Sequence, residues 1–394
     1  MKLRKDKWEK TKIGNVTSEL KAGFSSGKFE LNYGEIAHVR PMNITDDCKL
    51  IWEGTKYITR DVFENNECLQ LAKGDLLFNN TNSTELVGKS CYIDNDYGCG
   101  FSNHMTRVRV NPKILNSYFL SIVFFSYFKN RTFESYCQKW VGQSGVNTSI
   151  LSKIEIPLPS IEEQKQIASL FQSIETAIEE VEREEKNLKT LQKRLCNGLL
   201  KGQPEFGNLL NAKNCTSTIF GTIADCIEKH DKKKKEVAQF VGLENIEPES
   251  FKIETWGDIE KGTTFTKRFV KGDVLFGKRR AYLKKIAVAD FDGICSGDIL
   301  VFRAKEKKIL PELLPYYVSA EAFIQHAVST SAGSLSPRTK WKDIQELRIS
   351  IPELKVQEKI LEILEQLQNT IQQLKQQKTT LKNLKQKLLN EILG

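Results

Sequence analysis

No two of the nine cysteines (Cys48, Cys68, Cys91, Cys99, Cys137, Cys196, Cys215, Cys226 and Cys295) form a Cys-x-x-Cys pair, and the four histidines, His38, His104, His230 and His326, are scattered. Structural zinc sites need ligands at short fixed spacings, and a disulfide framework needs a dense, even set of thiols. Both readings are disfavoured, and the thiols read as reduced. Also missing are glycine-rich phosphate loops, His-Glu-x-x-His, Gly-x-Ser-x-Gly, and the Asn/Asp-Pro-Pro-aromatic motif of amino-methyltransferases; Asn111-Pro112 runs on into Lys113. No independent catalytic centre is expected.

Long apolar runs are missing too. The most apolar stretch, residues 118–128, falls far short of the ~20 residues of a membrane-spanning helix and reads as a buried amphipathic helix. The start, Met1-Lys2-Leu3-Arg4-Lys5-Asp6-Lys7, is charged with no apolar segment behind it, so secretion is not signalled. A soluble, cytoplasmic protein without a membrane partner is expected.

What is present is enough to fold. Of 394 residues, 40% are hydrophobic and 9% aromatic, which sets wholesale disorder aside. The length predicts two or three domains. Lysine and arginine (59) exceed the acids (50) by +9, an excess whose meaning depends on its placement.

The chain repeats itself. Ile156-Pro157-Leu158-Pro159 followed by Ile161-Glu162-Glu163-Gln164 opens a run that reaches Gly198 without another glycine or proline, and Ile349-Ser350-Ile351-Pro352 with Leu354 and Gln357 opens a similar run to Gly394. An offset of 193 aligns Pro159 with Pro352 and Gln164 with Gln357. Apolar positions then agree: Ile167, Phe171, Ile174, Ile178, Val181, Leu188 and Leu195 fall on Ile360, Leu364, Leu367, Ile371, Leu374, Leu381 and Leu388. This is a heptad seam, interrupted at Glu185 and Lys378. From Gln164 to Leu200, a helix at 1.5 Å per residue would span about 55 Å. Neither helix can bury its seam alone in water, so the two are expected to pack antiparallel on each other. The alternative is that each merely edges its own domain.

A second repeat lies in the flanking parts. Lys73-Gly74-Asp75-Leu76-Leu77-Phe78 recurs as Lys271-Gly272-Asp273-Val274-Leu275-Phe276 at an offset of 198, a turn opening an apolar strand. Gly14 and Gly221 each open a half, and Asn43-Ile44 matches Asn245-Ile246. The expected fold class is α+β: two repeated mixed α/β domains and two long antiparallel coiled-coil helices. The boundaries read as a first domain at 1–155, a first helix at 156–202, a linker at 203–218, a second domain at 219–350 and a second helix at 351–394.

Positive charge gathers in the second domain. Residues 267–285 hold eight basic residues against Asp273, and Lys232-Lys233-Lys234-Lys235 adds a further cluster. Lys278, Arg279, Arg280, Tyr282, Lys284 and Lys285 follow a predicted strand and belong on a projecting loop. Arginine forks can grip guanine edges, lysine can meet phosphate, and tyrosine can lie against sugar or base; a solvated loop fits the charge as well. The matching stretch of the first half, with Asn80, Asn82 and Ser83 leading to Lys89, carries amides and hydroxyls. These suit adenine edges and phosphates, and equally an Asx-rich turn. Gln143, and the 331–338 loop with Arg338, are further candidates just upstream of each helix.

At these residues the sequence resembles the specificity (S) subunit of type I restriction-modification systems. The stretch 75–89, from Asp75 to Lys89, resembles the central motif of one version of that family's target-recognition domain; Phe276 to Tyr282, with the stretch from Ala289 to Asp298, resembles another. The proline-led Ile161-Glu162-Glu163-Gln164 opening resembles its conserved helical regions. Position 80 is Asn where many relatives of the first motif carry a basic residue.

The resemblance implies two target-recognition domains, each reading one half of a split double-stranded DNA sequence, with paired helices acting as spacer and docking surface. It also implies two methyltransferase subunits that bring S-adenosylmethionine, and restriction subunits adding ATP-dependent translocation and cleavage. The chain itself would hold no cofactor or metal and no catalytic residue. A coiled-coil scaffold whose halves bind proteins is the competing reading, against which the basic cluster argues; a stand-alone DNA enzyme lacks its motifs.

Overall fold

The repeated Lys-Gly-Asp turn shows how each half is built. In the computed structural model, which describes residues 3–27, 30–210 and 213–394, Gly74 and Gly272 take φ values of 93° and 91°, a conformation that strains any residue with a Cβ. The aspartates fold back on the turn: Asp75 accepts from the Ala72 amide at 2.9 Å and Asp273 from the Val270 amide at 2.8 Å. Each carboxylate also holds an arginine of the adjoining strand, Arg109 at 2.6 Å and Arg303 at 2.7 Å.

The strand leaving each turn is covered on both faces, which explains why its sequence is continuously apolar rather than alternating. Leu76 and Phe78 enter a core with Ile13, Val108, Phe119 and Phe124, while Leu77 enters a second with Val39, Ile93 and Phe101. Likewise Val274 and Phe276 join Phe220, Phe302 and Phe323, while Leu275 joins Val241, Phe269 and Cys295. One strand thus ties two cores together in each half.

Sheet order repeats as well. In the first half an antiparallel sheet runs Thr17–Ala22, Met105–Val110, Leu76–Asn79, Ser90–Tyr92; in the second it runs Ala224–Cys226, Ile299–Ala304, Val274–Gly277, Ile286–Val288. A parallel pair accompanies each: Ile36–Val39 with Gly100–Phe101, and Gln239–Val241 with Gly293–Cys295. A two-strand ladder leads to each long helix, Glu9–Lys12 with Glu155–Leu158 and Cys215–Ile219 with Arg348–Pro352. Asn43 and Asn245 close matching turns by accepting from the amides of Arg40 and Gly242, and each donates to a threonine, Thr55 or Thr255, at 3.0 Å.

The two long helices are Ile161–Lys201 and Leu354–Leu393. Ser160 starts the first with a capping box: its Oγ accepts from the Glu163 amide while Glu163 accepts from the Ser160 amide and hydroxyl. The chain divides into two compact units, residues 1–180 with 378–394, and residues 181–377. Each unit therefore owns part of both helices, and within each the two parts run antiparallel. In the first unit Glu175 pairs with Lys385, and Ile167 and Phe171 share a core with Leu389 and Ile392. In the second, Gln192 donates to Gln368 at 2.6 Å, and Leu195 and Leu199 share a core with Ile360 and Leu364.

The seam is buried at Ile167, Phe171, Ile174, Ile178, Val181, Leu195, Ile360, Leu364, Ile371 and Leu374. Leu188, Leu367, Leu381 and Leu388 are half-buried. Towards the C-terminus the buried positions are Leu389 and Ile392 rather than Leu388, since the helix there turns its apolar face to the first unit's core. At the interruption, Glu185 is buried and pairs with Lys189 one turn on, at 2.6 Å.

Several boundaries differ from the expectations. The helices begin at residues 161 and 354, because 156–158 and 351–352 are strand residues bonded to partners far back in the chain. The 203–218 stretch, expected as a linker, buries Phe206 and Leu210 in the second unit's core and supplies the strand Cys215–Ile219; residues 211 and 212 lie outside the described residues. The helix Ser117–Lys129 is not amphipathic. Phe119, Leu120, Ile122, Val123, Phe124 and Phe125 are all buried, with Phe78 and Phe133 ringed around Phe124 and Lys385 lying over Phe125. Among the described residues, no helix is long and apolar enough to cross a membrane.

Candidate nucleic-acid interface

The polypeptide that follows each central strand leads to a surface where three distant stretches meet. In the first unit, Thr81–Asn82 pairs with Gln143–Gly145, which forms a hairpin with Gln138–Trp140. This ladder brings Asn82 and Ser83 beside Gln143 although 60 positions separate Ser83 from Gln143. Together with Ser26, Arg40 and Asn103 they line an open cleft of about 560 Å³. Asn82 accepts from the Ser83 amide at 2.9 Å, while Gln143 is exposed.

Arg40, Asn103, His38 and His104, which also border this cleft, were not legible as site residues. For His38 and Arg40 the signal was proximity to the repeated Asn43 turn; Asn103 and His104 lie 60 and 61 positions from Asn43 and carried none. Arg40 pairs with Glu30 and donates to Ser26 at 3.0 Å; that pairing holds the Glu30 carboxyl below the usual range. His38 lies under the cleft floor with Nε2 3.2 Å from the Phe24 carbonyl. Burial, reinforced by the Arg40 charge, pushes its imidazole down to about 4, so it is neutral at pH 7.

Two predicted contacts of the first unit point inward instead. Asn80 is buried, donating to the Asn103 carbonyl and to Thr106 Oγ1 at 3.0 Å while accepting from Thr81. Its amide fastens the strand end to Met105–Val110 and is not presented to a ligand. Lys89 is buried too, and its ammonium meets Asp46 at 2.9 Å. A buried lysine needs such a partner, and this one commits its ammonium to the Asp46 carboxylate.

In the second unit the corresponding surface is cationic. The backbone at 278–280 is threaded between two other segments: the Lys278 amide donates to Asp298 and the Arg280 amide to Pro337, both at 2.9 Å, and the Thr339 amide donates to Lys278 at 3.1 Å. Arg279 faces Arg338 in a bridge. Asp298 stands between their charges, bonded to Arg338 at 2.7 Å and 3.6 Å from Arg279. Arg338, then Arg279, hold the Asp298 carboxyl below its usual range. Arg280 and Tyr282 are exposed beside them. Both Arg280 and Lys284 take left-handed φ values, 54° and 51°, bracketing the turn Ala281–Leu283 and swinging Arg280 outward while Ala281 stays buried.

Lys284 and Lys285 do not join this surface. Lys284 pairs with Glu321 at 2.6 Å and Lys285 donates to the Leu243 carbonyl at 2.6 Å. Lys267 is buried against Glu228, and Arg268 lies near Glu236 and Asp292. The basic count over 267–285 thus overstates the charge available at one face; Lys278, Arg279, Arg280 and Arg338 supply it. No cluster of histidine, cysteine and carboxylate groups able to hold a metal occurs among the described residues.

Two differently equipped surfaces on one repeated framework agree with what the chain matches. The family described as type I restriction modification DNA specificity domain covers residues 5–190 and 221–383. The chain belongs to that family. Among curated relatives, the EcoDI specificity subunit of Escherichia coli is 30% identical over 104 residues, 26% of this chain and 23% of that protein. The MjaVIII specificity subunit of Methanocaldococcus jannaschii is 26% identical over 211 residues, 51% of this chain and 47% of that protein. These matches thus span less than half the length of each relative. The fold is that of solved S subunits: the one from M. genitalium aligns over 100% of this chain and 98% of its own with TM-score 0.63 at 14% identity. A second structure, from work on assembly and conformational transition of the type I R-M system, aligns over 98% and 97% with TM-score 0.55 at 18% identity.

Proposed function

We propose that this specificity-family chain reads a bipartite DNA target, each unit contributing the surface that reads one part. The observation that carries this is the repeated framework with unlike reading groups in the same place: Asn82, Ser83 and Gln143 on one surface, Lys278, Arg279, Arg280 and Arg338 on the other. Amides can bond adenine edges in pairs and arginine forks can bond guanine, so the two surfaces select different sequences. Neighbouring cations fix each unit on phosphate, which sets register but carries no sequence information. The chemistry belongs to partners: two methyltransferase subunits that bring S-adenosylmethionine, and restriction subunits that use ATP. The long helices are their docking surface and the spacer between the two reads.

The test is to express the chain with methyltransferase subunits, map the methylated adenines, and repeat with Gln143→Ala and with Arg280→Ala. Each substitution should relax one half of the target and leave the other half intact. If Arg280 holds phosphate instead, R280A weakens all sequences alike and lowers the salt dependence. Substitutions that alter both halves together, or a methylation pattern with a single undivided target, overturn the proposal.

A further inference from the structure

Each reading surface carries a hairpin whose tip is an apolar side chain that nothing covers. In the first unit the hairpin pairs Gln138 with Gly145 and Trp140 with Gln143, leaving Val141 at the turn, 105% exposed. In the second, Ala332 bridges Arg338, and Leu335 stands between them, 89% exposed. The two hairpins attach to equivalent strands, the first through Gly145 to Thr81 and the second through Arg338 to Arg279. A single exposed aliphatic residue is ordinary. Here the same place in both copies is apolar although the surrounding sequences, Trp140-Val141-Gly142-Gln143 and Ser334-Leu335-Ser336-Pro337, have nothing else in common.

Both tips are held rather than loose. The Trp140 ring lies so close over Gly145 that an added Cβ would come within 2.9 Å of it, and Gly142 turns the chain with φ 78°. In the other hairpin Gly333 turns with φ 111°, and the Pro337 carbonyl accepts from the Arg280 amide. Polar or charged groups flank each tip, Lys139 and Gln143 in one and Arg280 and Arg338 in the other.

We propose that Val141 and Leu335 are wedges, each entering a base step within the half-site its own unit reads and partly unstacking it. This rests on the function proposed above. A short apolar side chain on a stiff hairpin can lever a step open, at a cost of a few kcal/mol that the flanking phosphate and base contacts offset. Steps that unstack easily, pyrimidine followed by purine, are then favoured at that position without a hydrogen bond to either base. The wedge therefore adds selectivity that the polar groups alone do not supply.

The probe is a duplex carrying the target mapped by methylation, with 2-aminopurine placed in turn along each half-site, mixed with the full chain co-purified with its methyltransferase subunits. Apart from the adenine that the methyltransferase subunits flip out of the stack, fluorescence should rise at one step in each half. Val141→Ser should abolish the first rise only and Leu335→Ser the second only, each weakening binding about tenfold, while Val141→Ile keeps both. Both residues are exposed, so circular dichroism should show the variants folded. A rise away from the flipped adenine that survives both serine variants has another origin and overturns the wedge, as does sequence-specific binding with no rise there at all. Failure to bind any duplex sequence-specifically removes the underlying function as well, which separates the two failures.

Discussion

Gln164 and Gln357, 193 positions apart, make the same three hydrogen bonds. Gln164 accepts from the Asn116 amide and donates to the carbonyls of Ile114 and Pro159; Gln357 accepts from the Leu310 amide and donates to Lys308 and Pro352. Both side chains are completely buried. Each glutamine binds the loop ahead of its unit's helical region to the first turn of a long helix, and so fixes where that helix leaves the domain.

Removing either amide strands a backbone donor and acceptors away from water, which costs roughly 1–3 kcal/mol for each group left unpaired. Gln164→Leu should therefore lower the stability of the first unit by about 3 kcal/mol, and Gln357→Leu that of the second. Urea unfolding followed by a probe in each unit checks this. A loss below about 0.5 kcal/mol in both would show that water or a shifted backbone satisfies the loop.

Asn80 offers a sharper separation of structure from reading. Because its amide is engaged with Asn103 and Thr106, Asn80→Ala should cost the first unit about 2 kcal/mol and leave the target sequence unchanged. Gln143→Ala, at an exposed position, should do the reverse. Melting temperature and methylation mapping of the two variants provide the comparison.

Asn80 and Lys89 also show where sequence reasoning ran out. The repeat exposed Gln164, Gln357, Asp75 and Asp273 because the same local geometry demanded the same side chain twice, and the heptad seam exposed the helices because burial has a period. Asn80 and Lys89 sit among polar neighbours with no such period. Whether each points out or in depends on Thr106 and Asp46, which local sequence does not bring near. The basic run at 267–285 misled for a related reason: Glu228, Asp292 and Glu321 neutralise much of it from other segments. Arg338 and Asp298 meet Arg279 only because strand pairing closes 59 and 19 positions of separation.

His38 gives the first unit a pH dependence. Its folded value, about 4, lies below the ordinary 6.5, so as pH falls through 6.5 the unfolded chain takes up a proton that the folded chain refuses. Stability contributed by the neutral imidazole is complete above pH 6.5 and is lost progressively down to about 4, a change on the order of 3 kcal/mol. Below that both states are protonated and the term is constant. His38→Asn should flatten this part of the profile, measured as the urea midpoint of the first unit against pH. Equal slopes for the two proteins between pH 6.5 and 4 would place the acid sensitivity elsewhere.

The helix pair can be tested as a spacer by lengthening it without breaking its register. Glu175 meets Lys385 and Gln192 meets Gln368; from the first contact to the second, one helix advances by 17 residues as the other retreats by 17. Seven residues added to each helix at facing positions between these contacts preserve both, since a heptad is close to two whole turns. The added length is about 10 Å at 1.5 Å per residue, or roughly three base pairs of duplex. If the helices set the distance between the two reads, the mapped methylation target should keep both half-sequences and gain a spacer longer by about that amount. A single heptad added to one helix alone should misalign the pair and lower methylation instead. An unchanged spacer in the doubly lengthened protein, with methylation retained, would mean that contacts other than the helix pair hold the two reads apart.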